Sequence, residues 1–314
     1  MADKIATRKA YGETLAALGA DNNNIVVLDA DLSGSTMTKL FAKENPNRFF
    51  NVGIAEQNLY GIAAGMAASG KTVFASTFAI FATGRAFEII RNSIGYPHAN
   101  VKICATHAGV TVGEDGGSHQ SIEDIALMRT IPGMTVICPA DAVSTENLIK
   151  AVAEMDGPAY VRLGRSAVPV LYREEDSFEI GKAVTLREGK DFTIIATGIM
   201  VNEALTAAEA LVEQGLDIRV IDMHTIKPID EAAIIKAAKE TKGIITAEEH
   251  TVMGGLGSAV AEVVVRNCPV PMDFIGIKDM FGQSGKPAEL LKEYNLTAED
   301  IKASVLRMFD QIKA

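Results

Sequence analysis

The chain has 314 residues, of which 48% are hydrophobic and 22% are charged, so it is long enough for two domains with full cores. Its formal net charge is -10, its pI is near 5.1, and it contains no long block of Lys and Arg. These values argue against nucleic acid or an anionic membrane surface as the main partner.

The N-terminal segment and the cysteines bear on the cellular compartment. Residues 1–20 mix charged with apolar residues and lack the apolar core and cleavage pattern of a signal peptide. No apolar run approaches the roughly 20 residues of a membrane helix. We therefore expect a cytoplasmic protein without a membrane span. The three cysteines have no CxxC or metal-ligand spacing, and we expect buried, reduced thiols at Cys104, Cys138 and Cys268.

Short β-rich runs alternate with longer helical patterns along the chain, which predicts an α/β fold. The first predicted strands are Ile25–Asp29, Thr72–Ser76, Val101–His107, Met134–Cys138 and Ala159–Leu163. A second group comprises Phe192–Thr197, Asp217–Asp222, Gly243–Glu248 and Met272–Ile277, with helices over Val201–Gln214 and Ile229–Lys239. Because these strands are apolar at consecutive positions, they are typical of parallel sheets covered by helices on both faces. We predict two doubly wound α/β domains.

The polar segment Leu171–Lys190 interrupts this alternation and is the best candidate for a linker. We place the domain boundary near Glu174, with domains at 1–173 and 191–314 and a linker at 174–190. Ligands of parallel sheets bind at the carboxyl ends of the strands. The loops that follow the first group of strands are therefore the candidate site: those after Asp29, Ser76, His107 and Leu163.

Glu56 is the carboxylate that stands out, because it begins an otherwise apolar helix rich in Gly and Ala. A glutamate in a first turn commonly does no more than interact with the helix dipole. Small residues let backbones approach closely, however, so this helix is expected to be packed and Glu56 partly buried, where it needs a partner.

Residues 105–120 read ATHAGVTVGEDGGSHQ and bring two histidines and an acidic pair into a glycine-rich loop after a strand. Such a loop can be a solvated surface feature, but catalytic groups are commonly mounted at this position. His107 and His119 lack the close spacing of zinc ligands, so we predict no metal site in this chain.

The GIAEQN segment around Glu56, combined with the histidine loop, resembles the pyrimidine-binding domain of transketolases. Residues from about Phe192 onward are similar to the family's C-terminal domain. Further matches in family order are Ala6–Ala10, Asp29–Leu32, Ser76–Phe78, Asp156–Pro158 and Ser284–Leu291. The resemblance implies a transketolase, a transferase of two-carbon ketol units between sugar phosphates in the pentose phosphate pathway, with thiamine diphosphate as cofactor.

The resemblance also assigns roles to individual residues. Glu56 would share a proton with the aminopyrimidine of thiamine diphosphate, and His107 and His119 would be the other catalytic groups. Beside Glu56, the implied cofactor-binding residues are Asp31, Leu32, Phe78 and Phe81. Where many relatives have a third aromatic residue, this chain has Gly84. The implied sugar-phosphate ligands are Arg8, Ser35, His107, Asp115, His119 and Arg165.

One family feature is absent from the sequence: no Gly-Asp-Gly motif occurs to hold Mg²⁺ and the diphosphate. The resemblance therefore implies a split transketolase, in which an N-terminal subunit binds the Mg²⁺ and the cofactor is shared across the interface. Met1 and the polar lead-in agree with a genuine gene start. We expect a heterotetramer with two copies of each chain.

Three alternatives share parts of this pattern. A split deoxyxylulose-phosphate synthase and the beta subunit of a 2-oxo acid dehydrogenase would also carry the helix with Glu56. A non-catalytic homologue would keep the fold and lose the chemistry. The histidine loop favours transketolase, and the retained polar residues argue against a non-catalytic role. The sequence does not rank donor and acceptor sugars.

Overall fold

The computed structural model describes residues 3–313, which form fourteen strands and twelve α-helices. The strands are β1 Lys4–Ala6, β2 Ile25–Asp29, β3 Phe49–Asn51, β4 Thr72–Ser76, β5 Val101–Ala105, β6 Thr135–Ile137, β7 Ala159–Arg162, β8 Ala167–Pro169, β9 Val184–Arg187, β10 Phe192–Ala196, β11 Ile218–Asp222, β12 Thr225–Lys227, β13 Ile244–Thr251 and β14 Met272–Ile277. The helices are α1 Thr7–Asp21, α2 Ser33–Thr36, α3 Lys39–Glu44, α4 Glu56–Ala68, α5 Phe87–Ile89, α6 Asp124–Arg129, α7 Ala142–Glu154, α8 Met200–Val212, α9 Glu231–Glu240, α10 Leu256–Asn267, α11 Pro287–Glu293 and α12 Ala298–Lys313.

The first sheet has seven strands in the order β12-β6-β7-β5-β4-β2-β3, and all of them except β12 run parallel. Strands β2, β4, β5 and β7 are buried along their whole length, as continuously apolar runs in a covered parallel sheet require. The register pairs Asp29 with Ser76 and Ala105 with Arg162. The carboxyl ends of these strands therefore meet at one edge of the sheet.

The second sheet has five strands in the order β14-β13-β10-β11-β9, and only the edge strand β9 is antiparallel. Helices α8 and α12 pack together beside this sheet, and their buried residues join a core with β10 and β11. The predicted α/β class with two parallel-dominated sheets is confirmed.

The two sheets share structure as well as sequence neighbours. Strand β12 follows β11 of the second sheet but pairs with β6 of the first, so the chain crosses between them. Lys227 at its end donates hydrogen bonds to the carbonyls of Arg129 and Ile131, at 2.8 and 2.6 Å. These contacts place a cation at the carbonyl end of α6. The domains are thereby joined along an extended surface.

All nine predicted strands are present, and most of them differ by one or two residues at an end. The predicted strand Val101–His107 ends at Ala105 because His107 adopts a φ of +59°, which a strand does not accommodate. The sequence reading missed five strands of three or four residues. These strands lie at sheet edges or cross between domains, where no periodic pattern can develop: β1, β3, β8, β9 and β12.

Two further expectations need correction. Residues 184–187 of the predicted linker form β9 and belong to the second sheet, because they pair with β11. The boundary near Glu174 itself stays a prediction. All three cysteines carry free thiols, but only Cys104 and Cys138 are buried; Cys268 follows α10 and is partly exposed. Among the helices of residues 3–313, none combines the length and apolar character that crossing a bilayer requires.

Candidate functional site

The loop after β2 is organised by Asp29, which is fully buried at the end of the strand. Its carboxylate accepts hydrogen bonds from Leu32 N at 2.6 Å, Thr36 Oγ1 at 2.7 Å and Thr38 Oγ1 at 2.9 Å. Burial raises the pKa of Asp29, and these donors oppose that rise. Asp29 thus fixes residues 30–38, which include three residues assigned to the site by resemblance.

Asp31 lies in this loop with a φ of +62°, a left-handed conformation that Asp tolerates better than most residues. The side chain of Asn51, at the end of β3, accepts a hydrogen bond from Asp31 N and donates one to Asp31 Oδ1, both at 3.0 Å. Two neighbouring strand ends therefore hold Asp31 at the edge of the sheet.

Glu56 is the first residue of α4 and is only 3% exposed. Its Oε2 lies 3.5 Å from Nη1 of Arg85, an ion pair whose arginine is mostly exposed. The guanidinium of Arg85 also stands 5.5 Å from the ring centre of Phe81. The expectation that Glu56 is buried and has a partner is confirmed, and Arg85 links it to the aromatic residues of the site.

Four rings gather beside Glu56, and we call Phe78, Phe81, His107 and His119 the aromatic cluster. Phe78 stacks on His107 with ring centres 3.9 Å apart and on Phe81 at 5.8 Å. His119 meets Phe81 edge to face at 5.5 Å. The fold thus brings together residues from three separate sequence segments.

His107 is buried, and its Nδ1 lies 2.9 Å from Oγ1 of Thr106. Burial, followed by the charges of Arg8 and Arg165 and by His119, lowers the pKa of His107 to about 3. The imidazole is therefore neutral at physiological pH, with one nitrogen able to donate and the other able to accept a hydrogen bond.

Two arginines lie on the other side of His107, and we call Arg8, Ser35 and Arg165 the basic cluster. Arg8 donates from Nη1 to the Ser35 carbonyl at 2.7 Å and from Nε to the Arg165 carbonyl at 3.3 Å. Arg165 donates to the Val112 carbonyl and pairs with Glu114 at 3.3 Å. The cluster offers guanidinium and hydroxyl groups together, a combination suited to phosphate oxygens.

The site loop, defined here as residues 107–120, is held by a segment of the second domain. Gln120 Nε2 donates to the Val110 carbonyl at 3.1 Å and to the Gln283 carbonyl at 2.9 Å. A Cβ atom at Gly117 would lie 2.6 Å from the carbonyl oxygen of Gly282, so glycine is needed for this close approach. The second domain therefore shapes the loop that carries both histidines.

Asp115 is exposed in the same loop, and Leu32 is half-buried after β2. Gly84 is exposed within the π-helical segment Phe81–Arg85. Sequence reasoning missed the parts played by Asp29, Arg85 and Gln120. Strand-end position was a signal for Asp29, and proximity to the Phe81 motif was a signal for Arg85; a buried glutamine in a polar loop gave none.

Comparison with known proteins agrees with this geometry. Residues 3–170 match the transketolase pyrimidine binding domain, and residues 181–301 match the transketolase C-terminal domain. The chain is 56% identical over 302 residues to the "Putative transketolase C-terminal section" of Methanocaldococcus jannaschii, which covers 95% of both proteins. It is 41% identical over 307 residues to human transketolase, where the match covers 96% of this chain and 49% of the human protein.

A solved structure described as "Split gene transketolase, inactive beta4 tetramer" superposes with a TM-score of 0.91 at 55% identity, covering 97% of this chain and 98% of that one. The match extends over both domains and includes the edge where Glu56, the aromatic cluster and the basic cluster meet. This chain belongs to the transketolase family and corresponds to its pyrimidine-binding and C-terminal domains.

Proposed function

We propose that this chain is the C-terminal subunit of a thiamine-diphosphate-dependent transketolase that transfers a ketol unit between sugar phosphates of the pentose phosphate pathway. The observation that carries the proposal is the position of His107. It stacks on Phe78 of the aromatic cluster and lies close enough to Arg8 and Arg165 for their charges to lower its pKa. A ligand at this edge would therefore meet flat apolar faces at one end and cations at the other.

The residues present fit the aminopyrimidine end of thiamine diphosphate. Phe78 and Phe81 have nearly parallel rings, 14° apart, which suit packing against a flat heterocycle. Within residues 3–313, the buried hydroxyl of Tyr60 has no hydrogen-bond partner, and Tyr60 lies one helical turn after Glu56. We assign cofactor binding to Glu56, Asp31, Leu32, Phe78 and Phe81.

Thiamine diphosphate, when bound, supplies a thiazolium carbon that attacks the carbonyl of a ketose. Glu56 would hold a proton at its carboxyl for the aminopyrimidine, and its burial keeps water from competing for that proton. The neutral imidazole of His107 and the ring of His119 would hydrogen-bond substrate oxygens. The aromatic cluster would exclude water from the reacting atoms.

We assign sugar-phosphate binding to the basic cluster and to polar residues of the site loop. Arg8, Ser35 and Arg165 would bind the phosphate, Asp115 would accept a hydrogen bond from a sugar hydroxyl, and His107 and His119 would contact the reacting end. Two relatives are named for other sugars: a subunit of a 6-deoxy-6-sulfo-D-fructose transketolase at 43% identity and one of an apulose-4-phosphate transketolase at 44%. These names define the sugars to be compared in the assay.

The proposal includes a second polypeptide that binds the diphosphate through Mg²⁺. This chain spans about half of human transketolase, and its sequence has no Gly-Asp-Gly motif. The related split-gene structure is described as an inactive tetramer of beta chains, which supports a requirement for the partner. We propose a cytoplasmic heterotetramer with two copies of each chain and the cofactor between them.

The test is reconstitution of ketol transfer. The purified chain with Mg²⁺ and thiamine diphosphate is expected to be folded and inactive, because a pyrimidine-side contact alone supplies little affinity. Addition of a diphosphate-binding transketolase subunit should restore activity. Full activity of the chain alone would overturn the split arrangement, and absence of ketol transfer from any of the named sugars by the mixture would overturn the enzymatic function.

A further inference from the structure

A carboxylate of the second domain enters the site loop from the side opposite the substrate residues. Glu249 lies near the end of β13 and is 3% exposed. Its Oε1 accepts a hydrogen bond from Thr111 N at 2.6 Å. Thr111 stands between the two histidines of the loop, so a residue outside the pyrimidine-binding domain fixes the middle of the site loop.

The loop is shaped around this carboxylate. Gly109 has a φ of +81°, which favours glycine, and a Cβ atom there would overlap the carboxyl group of Glu249. Gly109 N donates to the Ser121 carbonyl at 2.8 Å and closes the base of the loop. The backbone at 109–111 therefore follows the contour of Glu249 and cannot shift toward it.

The buried charge of Glu249 is compensated by Arg162, which is itself buried at the end of β7. Arg162 Nη1 lies 4.0 Å from Glu249 Oε2, and Nη2 donates to the Glu249 carbonyl at 2.8 Å. Arg162 Nε also donates to Asp124 Oδ2 at 2.8 Å. Burial raises the pKa of Glu249, while Arg162 and the Thr111 N–H counteract that rise. The paired arrangement holds the carboxylate in one place.

The far side of the same short segment contacts the basic cluster. The Thr111 carbonyl accepts a hydrogen bond from Ser166 Oγ at 3.2 Å, and the Val112 carbonyl accepts one from Arg165. Residues 111 and 112 thus connect Glu249 on one side with Arg165 on the other. A displacement of the Thr111 amide would be passed to Arg165 through two hydrogen bonds.

We propose that Glu249 is a positioning residue, by which the second domain sets the site loop and the orientation of Arg165 and His107. The inference rests on the proposed ketol transfer for its kinetic consequences only. The essential feature is the acceptor at Oε1, located where Thr111 N–H points. The C-terminal domain then contributes to catalysis without touching the substrate.

Glu248 provides a matched control on the same strand. It is 1% exposed and accepts two backbone hydrogen bonds, from Leu256 N at 2.7 Å and Gly257 N at 2.8 Å. These donors belong to the start of α10, away from the site loop. Glu248 and Glu249 therefore share burial, charge and backbone N–H donors to the carboxylate, but only Glu249 contacts the loop.

The experiment compares Glu249→Asp, Glu249→Gln and Glu248→Asp. Asp keeps the charge near Arg162 but withdraws the acceptor from Thr111, whereas Gln keeps an acceptor and removes the charge. Amide hydrogen exchange at residues 109–113 is measured on the full chain, and kcat and KM on the chain assembled with its partner. We expect E249D to exchange faster at 109–113 and to lose about 100-fold in kcat/KM, as displacements of about 1 Å at positioning contacts do.

E249Q should recover most of that loss, and E248D should leave both the exchange at 109–113 and kcat/KM unchanged, whatever it does to thermal stability. Wild-type exchange at 109–113 in E249D would overturn the inference, as would an E249Q variant more impaired than E249D or an E248D variant as impaired as E249D. The exchange measurement needs no activity. If the wild-type assembly transferred no ketol unit, the proposed function would fail while the positioning contact could still be judged.

Discussion

The two sheets of this molecule have the same kind of parallel edge, but only one of them is open. At the first, the residues after β2, β4, β5 and β7 converge on Glu56, the aromatic cluster and the basic cluster. At the second, the strand ends also carry polar groups, yet these groups are consumed inside the protein. Asp222 at the end of β11 accepts a hydrogen bond from Tyr172 at 2.7 Å, and Thr197 donates to the Cys138 carbonyl at 3.3 Å.

The difference shows that polar residues at strand ends do not by themselves make a site. The edge of the second sheet is covered by the first domain, through β12 and the chain around residues 138–141 and 172. Its strand-end carboxylates either hold backbone, as Glu248 and Glu249 do, or stay buried, as Asp222 does. Access at the edge decides which sheet binds ligands.

Glu56→Gln should break the function of the open edge with the largest effect. The amide keeps the shape of the side chain but cannot share a proton, and general acid–base catalysis commonly contributes roughly 10²- to 10⁴-fold. We expect turnover to be abolished at ordinary enzyme concentrations while the subunits still assemble, as judged by ketol transfer and size-exclusion chromatography. The exposed residue Glu88 offers the control Glu88→Gln. Near wild-type ketol transfer by E56Q would refute the role of Glu56.

Arg165→Ala should affect the phosphate end of the same edge. Loss of one charge-assisted contact costs about 1.5 to 3 kcal/mol, which raises the KM for phosphorylated sugars about 10- to 100-fold. Steady-state kinetics with phosphorylated and unphosphorylated donors would measure this. Arg173→Ala, at an exposed arginine beyond the basic cluster, is the control. An equal loss with unphosphorylated donors would show that Arg165 does not bind the phosphate.

Asp222→Asn tests the closed edge, where we expect an effect on stability and none on activity. Burial raises the pKa of Asp222 from 3.8 to about 7, so between these pH values the folded protein binds a proton that the unfolded chain does not. The wild-type protein should therefore lose stability as pH rises from about 4 to about 7. The difference corresponds to roughly 4 kcal/mol.

The variant lacks this titration, so its stability relative to wild type should increase with pH over that interval. Thermal unfolding at pH 5 and pH 8 measures the change, with the exposed residue Asp310 changed to Asn as the control. Parallel pH profiles for wild type and D222N would contradict the buried titration. A loss of ketol transfer in D222N would show that the second edge takes part in function after all.

Much of the site was accessible from the sequence because its residues lie in motifs with local meaning. The Gly/Ala-rich helix signalled a buried Glu56, and the histidine loop followed a recognisable strand. The roles of Phe78, Phe81, Arg8, Ser35 and Arg165 came from the family resemblance, since each alone reads as an ordinary core or surface residue. The structure then brought these five residues to one edge.

The sequence by itself determined the parallel strands, the helices between them and the loops that carry the chemistry, because apolar runs and turn residues act over a few neighbouring positions. The tertiary structure alone decided which edge stays open, where β12 crosses and which carboxylate supports the loop. Glu248 and Glu249 are adjacent and chemically identical, yet one holds the start of a helix and the other holds Thr111. That choice depends on contacts 138 residues apart in the chain, a separation at which local patterns carry no information.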